Sequence, residues 1–402
     1  MQNNRIQVID ALRGFSLAGI VLVHMIENYL ASPPPETGMQ LTNQGLIDGI
    51  VQGFTTLFIQ GKFFALFSFL FGVSFFIQMN NGAKRNNRFE LRFLWRILLL
   101  LVIGAIHHLF YRGDILTIYA LIGIFLIPFF RVNKKVILSL AIVFFLGLGR
   151  YIYFAFFGDK FIFSNIEMMG SSPEINEYFN TLKNGSLIEV FKINSTQGHL
   201  MKLDFQFGVF GRGYLTFAFF LLGLYAGKID FFNNFKNYRK KITKGLIWSI
   251  VLFLISMGVT AGLFINMSNN GQTAVKFDNW ISLLALTSYD LANIFMTFII
   301  ILSFLLIFLR TKGEKFLSKF SPYGKMALTN YILQSIIGTF ILYGWGLGFI
   351  GELRHVYTFV IGLLLIVLQM IFSNWWLSKY RYGPLEWLWR SATYFKKFPF
   401  KL

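Results

Sequence analysis

Residues 11–31 read ALRGFSLAGIVLVHMIENYLA, a run apolar through most of its length, with Arg13 near its start and His24 toward its end. A bilayer core about 30 Å thick is crossed by about 20 such residues in helical form. Comparable runs recur at 54–79, 93–111, 115–130, 136–157, 208–227, 245–265, 291–309, 326–346 and 356–377. A buried core in a soluble protein accounts for one helix of this kind but not for a succession of them. The whole composition agrees. Hydrophobic residues make up 55% of the 402 and charged residues 14%, against the roughly 25% that a soluble surface needs. Mean hydropathy is +0.58. The expected fold class is therefore an all-α integral membrane protein, a single bundle of about ten transmembrane helices. The boundaries leave room for nine or eleven, and the short fourth run for a re-entrant segment.

The positive charges orient these runs. With the N-terminus inside, 27 of the 37 Lys and Arg fall in inner segments. They include Arg5 and Arg13, then Lys84, Arg85, Arg88, Arg92 and Arg96, the cluster Lys236 to Lys244, and a basic tail over 379–402. The outer segments hold Arg112, Lys160, Lys183, Lys192, Lys202, Lys276 and Arg354, and the bias alternates loop by loop. Both termini are thus expected in the cytoplasm. Net charge is +19, and its placement in short loops points to topology and anionic lipid rather than nucleic acid. Cysteine is absent, so disulfides, thiolate metal sites and a Cys nucleophile are excluded. The opening MQNNRIQVIDALRG lacks a cleavable-signal pattern, and the first span is expected to stay as an anchor. The first five spans occupy 1–157 and the last five 208–378. Between them, 158–207 is a long outer loop or small helical cap carrying Asp159, Glu167, Glu174, Glu177, Glu189 and Asp204.

Ionisable groups inside spans are costly, which makes each a candidate for function. His24 lies about 20 Å from the inner face at 1.5 Å per residue. His107 and His108 end the third span, and Arg150 and Arg212 lie toward the outer ends of the fifth and sixth. Lys62 falls within the second, and Asp114 and Asp290 are expected to cap outer helix ends. A lone residue of this kind is explained by snorkelling or by a neighbouring carbonyl. Several at one depth favour a polar cavity near the outer leaflet, with a histidine exchanging a proton. At the inner end, Asp10 and Arg13 share a helix face at i, i+3, either as an interfacial ion pair or as a contact for an anionic cytosolic ligand. Asn330 and Gln334, at i, i+4, suit interhelical hydrogen bonding as well as ligand binding. The glycine-rich GWGLGFIG (344–351) lacks a strand–helix context and reads as a turn or close packing.

Taken together, RIQVIDALRGFSLAGIVLVH (5–24), KFFALFSFLFG (62–72), GAIHHLFYRGDILTIYALIG (104–123), KMALTNYILQS (325–335) and YGPLEWLWR (382–390) resemble the YeiB-like family of multispanning bacterial membrane proteins. That family is similar to a wider superfamily of transmembrane acyltransferases, including heparan-glucosaminide acetyltransferases and type 3 acyltransferases of bacterial glycans. The resemblance implies ten spans, residence in the bacterial cytoplasmic membrane and a cytosolic acyl-CoA donor, acetyl-CoA first. Asp10 and Arg13 match its Asp-x-x-Arg-Gly start, and Arg13 and His24 match the type 3 spacing of Arg, ten residues, His. YeiB-like proteins often have Asn at the position of His24, which shifts weight to His107, the match to the family's His before GDIL; His108 has no match. The tail motif adds Glu386 and Arg390 to the candidate substrate-binding residues.

The expected activity is transfer of an acyl group from cytosolic acyl-CoA to a hydroxyl or amine of an extracytoplasmic glycan or lipid. Arg13, together with Lys62, would receive the donor. His107 or His24 would act as base, Asp114 would orient the imidazole, and Arg150, Lys62 or Arg212 would stabilise the oxyanion. No metal is expected, and an oligomer is compatible with the sequence. The alternative is a transporter or exporter of a small anionic or amphipathic solute, using the same charges as binding and relay groups. No inverted repeat is evident in its favour.

Overall fold

The computed structural model describes residues 6–84, 89–166, 172–270 and 276–402; Arg5, Arg85, Arg88 and Glu167 lie outside these. The described residues are helical apart from connections and one isolated bridge between Tyr380 and Lys401. Helix α1 spans Gln7–Ile26, α2 Leu46–Phe58, α3 Phe63–Ala83, α4 Phe89–Phe110 and α5 Leu116–Leu126. Then come α6 (Lys134–Phe145), α7 (Leu148–Phe157), α8 (Pro173–Asn184), α9 (Leu187–Ser195), α10 (Gln197–Phe207) and α11 (Arg212–Lys228). A single turn α12 (Phe231–Asn234) leads to the long helices α13 (Arg239–Asn269) and α14 (Trp280–Phe308). Two short helices, α15 (Thr311–Leu317) and α16 (Ser321–Lys325), precede α17 (Ala327–Leu342), α18 (His355–Leu377) and α19 (Pro384–Tyr394).

Among the described residues six helical segments are long and apolar enough to cross a membrane, or eight if two bent pairs each count as one span. The bent pairs are α6–α7, at 52°, and α10–α11, at 58°. Each break carries a glycine in the left-handed region, Gly147 at φ +89° and Gly211 at φ +65°, where a Cβ would be strained. Helices α5 and α17 are apolar but shorter. The protein is thus a multipass, all-helical membrane protein.

The lipid-facing surfaces are apolar. Ile247, Val251, Leu254 and Ile255 of α13 and Leu364, Val367, Leu368 and Ile371 of α18 are exposed, as hydrocarbon solvent allows and water does not. Inside, one hydrophobic cluster draws on α1, α3, α4, α5, α11, α14, α17 and α18. Helices α3 and α11 pack closely because Gly72 meets the Phe220 carbonyl and Gly223 meets that of Phe69, the small-residue contact typical of helices in lipid.

Residues 158–207 hold α8, α9 and α10. Ser172 caps α8 with Pro173 as its first residue, and Ser186 with Glu189 forms a capping box on α9. Tyr178, Phe179, Leu182 and Val190 turn into the core, so this segment lies over one end of the helices. The 344–351 stretch is a turn, with Gly348 and Gly351 at positive φ. Asp290 is not a helix cap, as the charge pattern led one to expect. Helix α14 begins at Trp280, where Asn279 and Ser282 cap it, so Asp290 lies within the helix.

Candidate functional site

The end of α1 that carries Asp10 and Arg13 opens into a cavity of about 930 Å³. Its mouth is basic: Arg13, Lys84, Arg96, Lys228, Lys325 and Arg390 all line it. Arg13 is held by Asp10, 3.1 Å away, and donates to the Ser74 hydroxyl at 2.9 Å. Arg390 lies over the rings of Tyr382, Tyr394 and Phe398, 5.2, 5.6 and 4.6 Å from their centroids. Glu386 accepts from the Leu328 and Thr329 amides at 2.7 and 3.1 Å and from the Thr329 hydroxyl at 2.6 Å. It therefore satisfies the open N–H groups at the start of α17. Burial pushes its carboxyl above the ordinary range, while those hydrogen bonds pull the other way. The structure thus gathers Asp10, Arg13, Glu386 and Arg390, from the two ends of the sequence, around one mouth.

The cavity runs inward to Leu116, Tyr119 and Tyr331. Behind that wall stands His107, its ring centroid 5.0 Å from that of Tyr331. His107 Nδ1 is 2.7 Å from Asp114 Oδ1, and both side chains are fully buried. A carboxylate only accepts, so Nδ1 carries the proton, and Nε2 of the neutral ring holds a free lone pair. That Nε2 is buried and, among the described residues, has no hydrogen-bond partner. Asp114 is fixed from four further sides. It accepts from the Leu116 and Thr117 amides at 3.1 and 2.9 Å and from the Thr117 hydroxyl at 2.8 Å, and Lys202 Nζ lies 3.6 Å from it. Lys202 also donates to Thr117 Oγ1 at 2.6 Å.

His24 reaches the same region from α1. The Tyr111 ring stands between the two histidines, 4.9 Å from His24 and 6.4 Å from His107. Tyr29 packs 5.1 Å from His24, whose Nδ1 is also buried without a partner among the described residues. One turn further along α1, Glu27 accepts from Gln60 at 2.7 Å. His108 takes a different part. Its Nε2 meets the Asn194 carbonyl at 2.9 Å, and Asn194 donates to the Leu109 carbonyl, tying α9 to the end of α4.

The other candidates are placed elsewhere. Arg150 donates to the Val209 and Phe210 carbonyls at 2.7 and 2.9 Å, to Thr287 at 2.8 Å and to Asp290. Four of its five N–H groups are thus used in bracing α7 against α14 and the turn before α11. Lys62 does not share the Arg13 mouth. It starts α3, whose far end delivers Lys84 to that mouth, and 21 helical residues separate the two ends by about 30 Å. Instead Lys62 lines a second, smaller groove, beside which Arg212 stands. Asn330 donates to Ser373 at 2.8 Å and to the Tyr323 carbonyl at 3.2 Å, and Gln369 donates to the Asn330 carbonyl. That is interhelical bonding. Gln334 is fully buried, and among the described residues both its side-chain polar atoms lack a hydrogen-bond partner.

Four residues of this region escaped sequence reasoning. Lys202 reads there as a loop charge, and its partner lies 88 positions earlier; no local spacing signals the pair. Tyr111, Tyr331 and Glu27 are the others. Seventeen Tyr and 50 Phe in one chain make an individual aromatic uninformative, whereas Glu27, an acid three residues past His24, was a readable signal.

Comparison with known proteins supplies the remaining evidence. Residues 5–182 match the model of "Heparan-alpha-glucosaminide N-acetyltransferase, catalytic", the stretch that holds His24, His107 and Asp114. Residues 226–396 match "Protein of unknown function (DUF418)". YxaH of Bacillus subtilis (strain 168), described as uncharacterized, is 30% identical over 98% of this chain and 95% of its own. An uncharacterized 39.9 kDa protein of the amylase 3' region of Bacillus acidopullulyticus is 27% identical, over 100% and 97%. YeiB of Escherichia coli (strain K12), also uncharacterized, is 26% identical over 96% and 95%. End-to-end similarity of this kind, on a helical membrane framework, places the chain in the YeiB-like family of multispanning membrane proteins.

Proposed function

We propose that this protein is a membrane-embedded acyltransferase moving an acyl group, acetyl first, from cytosolic acyl-CoA to a hydroxyl or amine of an extracytoplasmic glycan or lipid. The observation that carries the reading is the cavity: a basic mouth leading to Tyr331, directly behind which stands a buried His–Asp pair with its Nε2 free. The match of residues 5–182 to an acetyltransferase catalytic model supports the same chemistry.

In this reading the chain forms one bundle of ten spans in the bacterial cytoplasmic membrane, both ends inside. The count follows if the two bent pairs and the short helices α5 and α17 are each taken as spans. The Arg13 mouth then faces the cytosol, and its arginines and lysines hold the phosphates of the donor. The pantetheine arm extends along the cavity, bringing the thioester to Tyr331. His107 Nε2 takes the proton of the acceptor as its oxygen or nitrogen attacks the thioester carbonyl. The tetrahedral intermediate collapses, the thiolate leaves, and the imidazolium returns the proton to it. Asp114 keeps the ring in the tautomer that leaves Nε2 basic. His24, across Tyr111, is the second candidate base, and Arg150, Lys62 and Arg212 are the candidates for the oxyanion.

Purified protein given radiolabelled acetyl-CoA and an envelope extract should transfer label to acceptor. His107→Ala should lower that transfer by about 10²–10⁴-fold, with His24→Ala having the smaller effect. Unchanged transfer in both variants would refute the base assignment. Solute flux into proteoliposomes without acyl-CoA, in the absence of any transfer, would replace the reading with transport.

A further inference from the structure

A second groove, about 360 Å³ in volume, lies between α2 on one side and α13–α14 on the other. Gly49, Gly53 and Leu57 of α2, Phe253 and Met257 of α13, and Asn293 of α14 form its walls. Its open side faces the surroundings of the bundle. Ile50, Phe54, Leu57 and Phe58 of α2 are exposed, as are Leu252, Leu254 and Ile255 of α13. Such surfaces contact lipid tails.

The floor of this groove is cationic. Lys62 is 3% exposed, and among the described residues its ammonium has one hydrogen bond, to the Thr56 carbonyl at 2.6 Å. Two ammonium N–H groups remain unused. Arg212 stands close by: a Cβ placed on Gly61 would lie 3.4 Å from Arg212 Nη2 and 3.3 Å from the Asn293 amide oxygen. Its guanidinium rests 4.0 Å from the Phe64 ring centroid, and among the described residues it has no hydrogen-bond acceptor. The carboxylates around it are engaged elsewhere, Asp290 with Arg150 and Glu27 with Gln60. Among the described residues Lys62, Arg212 and Arg150 thus share two nearby carboxylates, Asp290 and Glu27. The helix α3 starts immediately after Lys62 and α11 starts at Arg212, so both present their positive ends here.

An apolar slot open to lipid, with Lys62 on its floor and Arg212 beside it, both with spare donors, complements one kind of molecule. We propose that the groove binds an anionic lipid, its phosphate held by Lys62 and Arg212 and its chain lying against α2 and α13. The same groove delivers a lipid-borne acceptor to the histidines; this second clause rests on the acyltransferase reading. The route is short in sequence and space. Gln60, two residues before Lys62, bonds Glu27, and His24 lies one turn earlier on α1.

The test uses the whole purified protein in detergent, without acyl-CoA, titrated with phosphatidylglycerol, with phosphatidylcholine of the same chains, or with inorganic phosphate. Native mass spectrometry reads the bound lipid. Wild type should retain one phosphatidylglycerol with a preference of roughly tenfold or more over phosphatidylcholine. The Lys62→Gln/Arg212→Gln double variant should lose that preference. Gly53→Phe should lose the bound lipid through occlusion alone, because nothing lies within 4 Å of a Cβ at that position and the core is untouched. Lys240→Gln/Lys241→Gln, on the exposed start of α13, should behave as wild type. Equal retention of the two lipids by wild type overturns the proposal. So does a preference that survives both Gly53→Phe and the double variant. Displacement of phosphatidylglycerol by millimolar phosphate would mean a free-anion site and would also overturn it. Because the readout needs no turnover, absent lipid preference alongside His107-dependent transfer defeats this inference alone. Lipid preference without any transfer defeats the acyltransferase reading alone.

Discussion

Asp114 makes five polar contacts while fully buried, and only one of them is to His107. Replacing it with Asn keeps the size and most of the hydrogen bonds but lets the amide donate to Nδ1. The ring is then free to adopt the tautomer with Nε2 protonated, which cannot accept a proton. Asp114→Asn should therefore reduce kcat for acyl transfer by about 10²–10⁴-fold with little change in KM for acyl-CoA, whose phosphates bind at the far mouth. A rise in KM with kcat intact would instead make Asp114 a purely structural cap of α5. The His107–Asp114 pair was legible in the sequence because both residues sit in one short motif, GAIHHLFYRGDIL, seven positions apart. Arg150 was legible as a buried charge but not in its role. Its acceptors are backbone carbonyls of Val209 and Phe210, which no side-chain pattern records. Lys62 and Arg13 were grouped by charge alone, whereas Arg13 bonds Ser74, about three turns along α3 from Lys62.

At the scale of elements, the apolar runs found by length each fall on helices, since 20 residues without charge form little else in lipid. The breaks were harder to see. Residues 136–157 read as one span, yet Gly147 at φ +89° divides it into α6 and α7 at 52°. Nothing in a single glycine distinguishes a bend from close packing. Gly72 is of the second kind. A Cβ there would run into the Phe220 carbonyl, a backbone atom that cannot step aside without moving α11. Since α11 begins with Arg212 and α3 with Lys62, this packing also sets the spacing of the groove floor. Gly72→Val should cost about 1–3 kcal/mol and lower the melting temperature in detergent. The variant's phosphatidylglycerol preference should weaken along with its stability. A melting temperature equal to wild type would show that α3 and α11 are not held by this contact.

At the scale of the whole molecule, the proposed chemistry needs two sides: a donor mouth in the cytosol and a histidine pair near the opposite face. In the proposed orientation the Arg13 end lies inside, a reading that the basic mouth and the loop-by-loop bias of Lys and Arg support. The absence of cysteine makes this directly measurable, because a single introduced Cys is the only thiol in the chain. Lys192 and Lys276 are exposed on the cap and on the α13–α14 connection, and Lys312 and Lys396 are exposed at α15 and in the tail. In intact spheroplasts, a membrane-impermeant maleimide should label Lys192→Cys and Lys276→Cys. It should leave Lys312→Cys and Lys396→Cys unlabelled until the membrane is opened. The reverse pattern would turn the basic mouth outward, away from cytosolic acyl-CoA, and the acyltransferase reading would fall with it. Labelling of Lys396→Cys together with Lys192→Cys would instead mean an even number of crossings between these two positions, with α17 as the first helix to be removed from the count. The experiment therefore separates an error in the number of crossings from an error in the direction of the reaction.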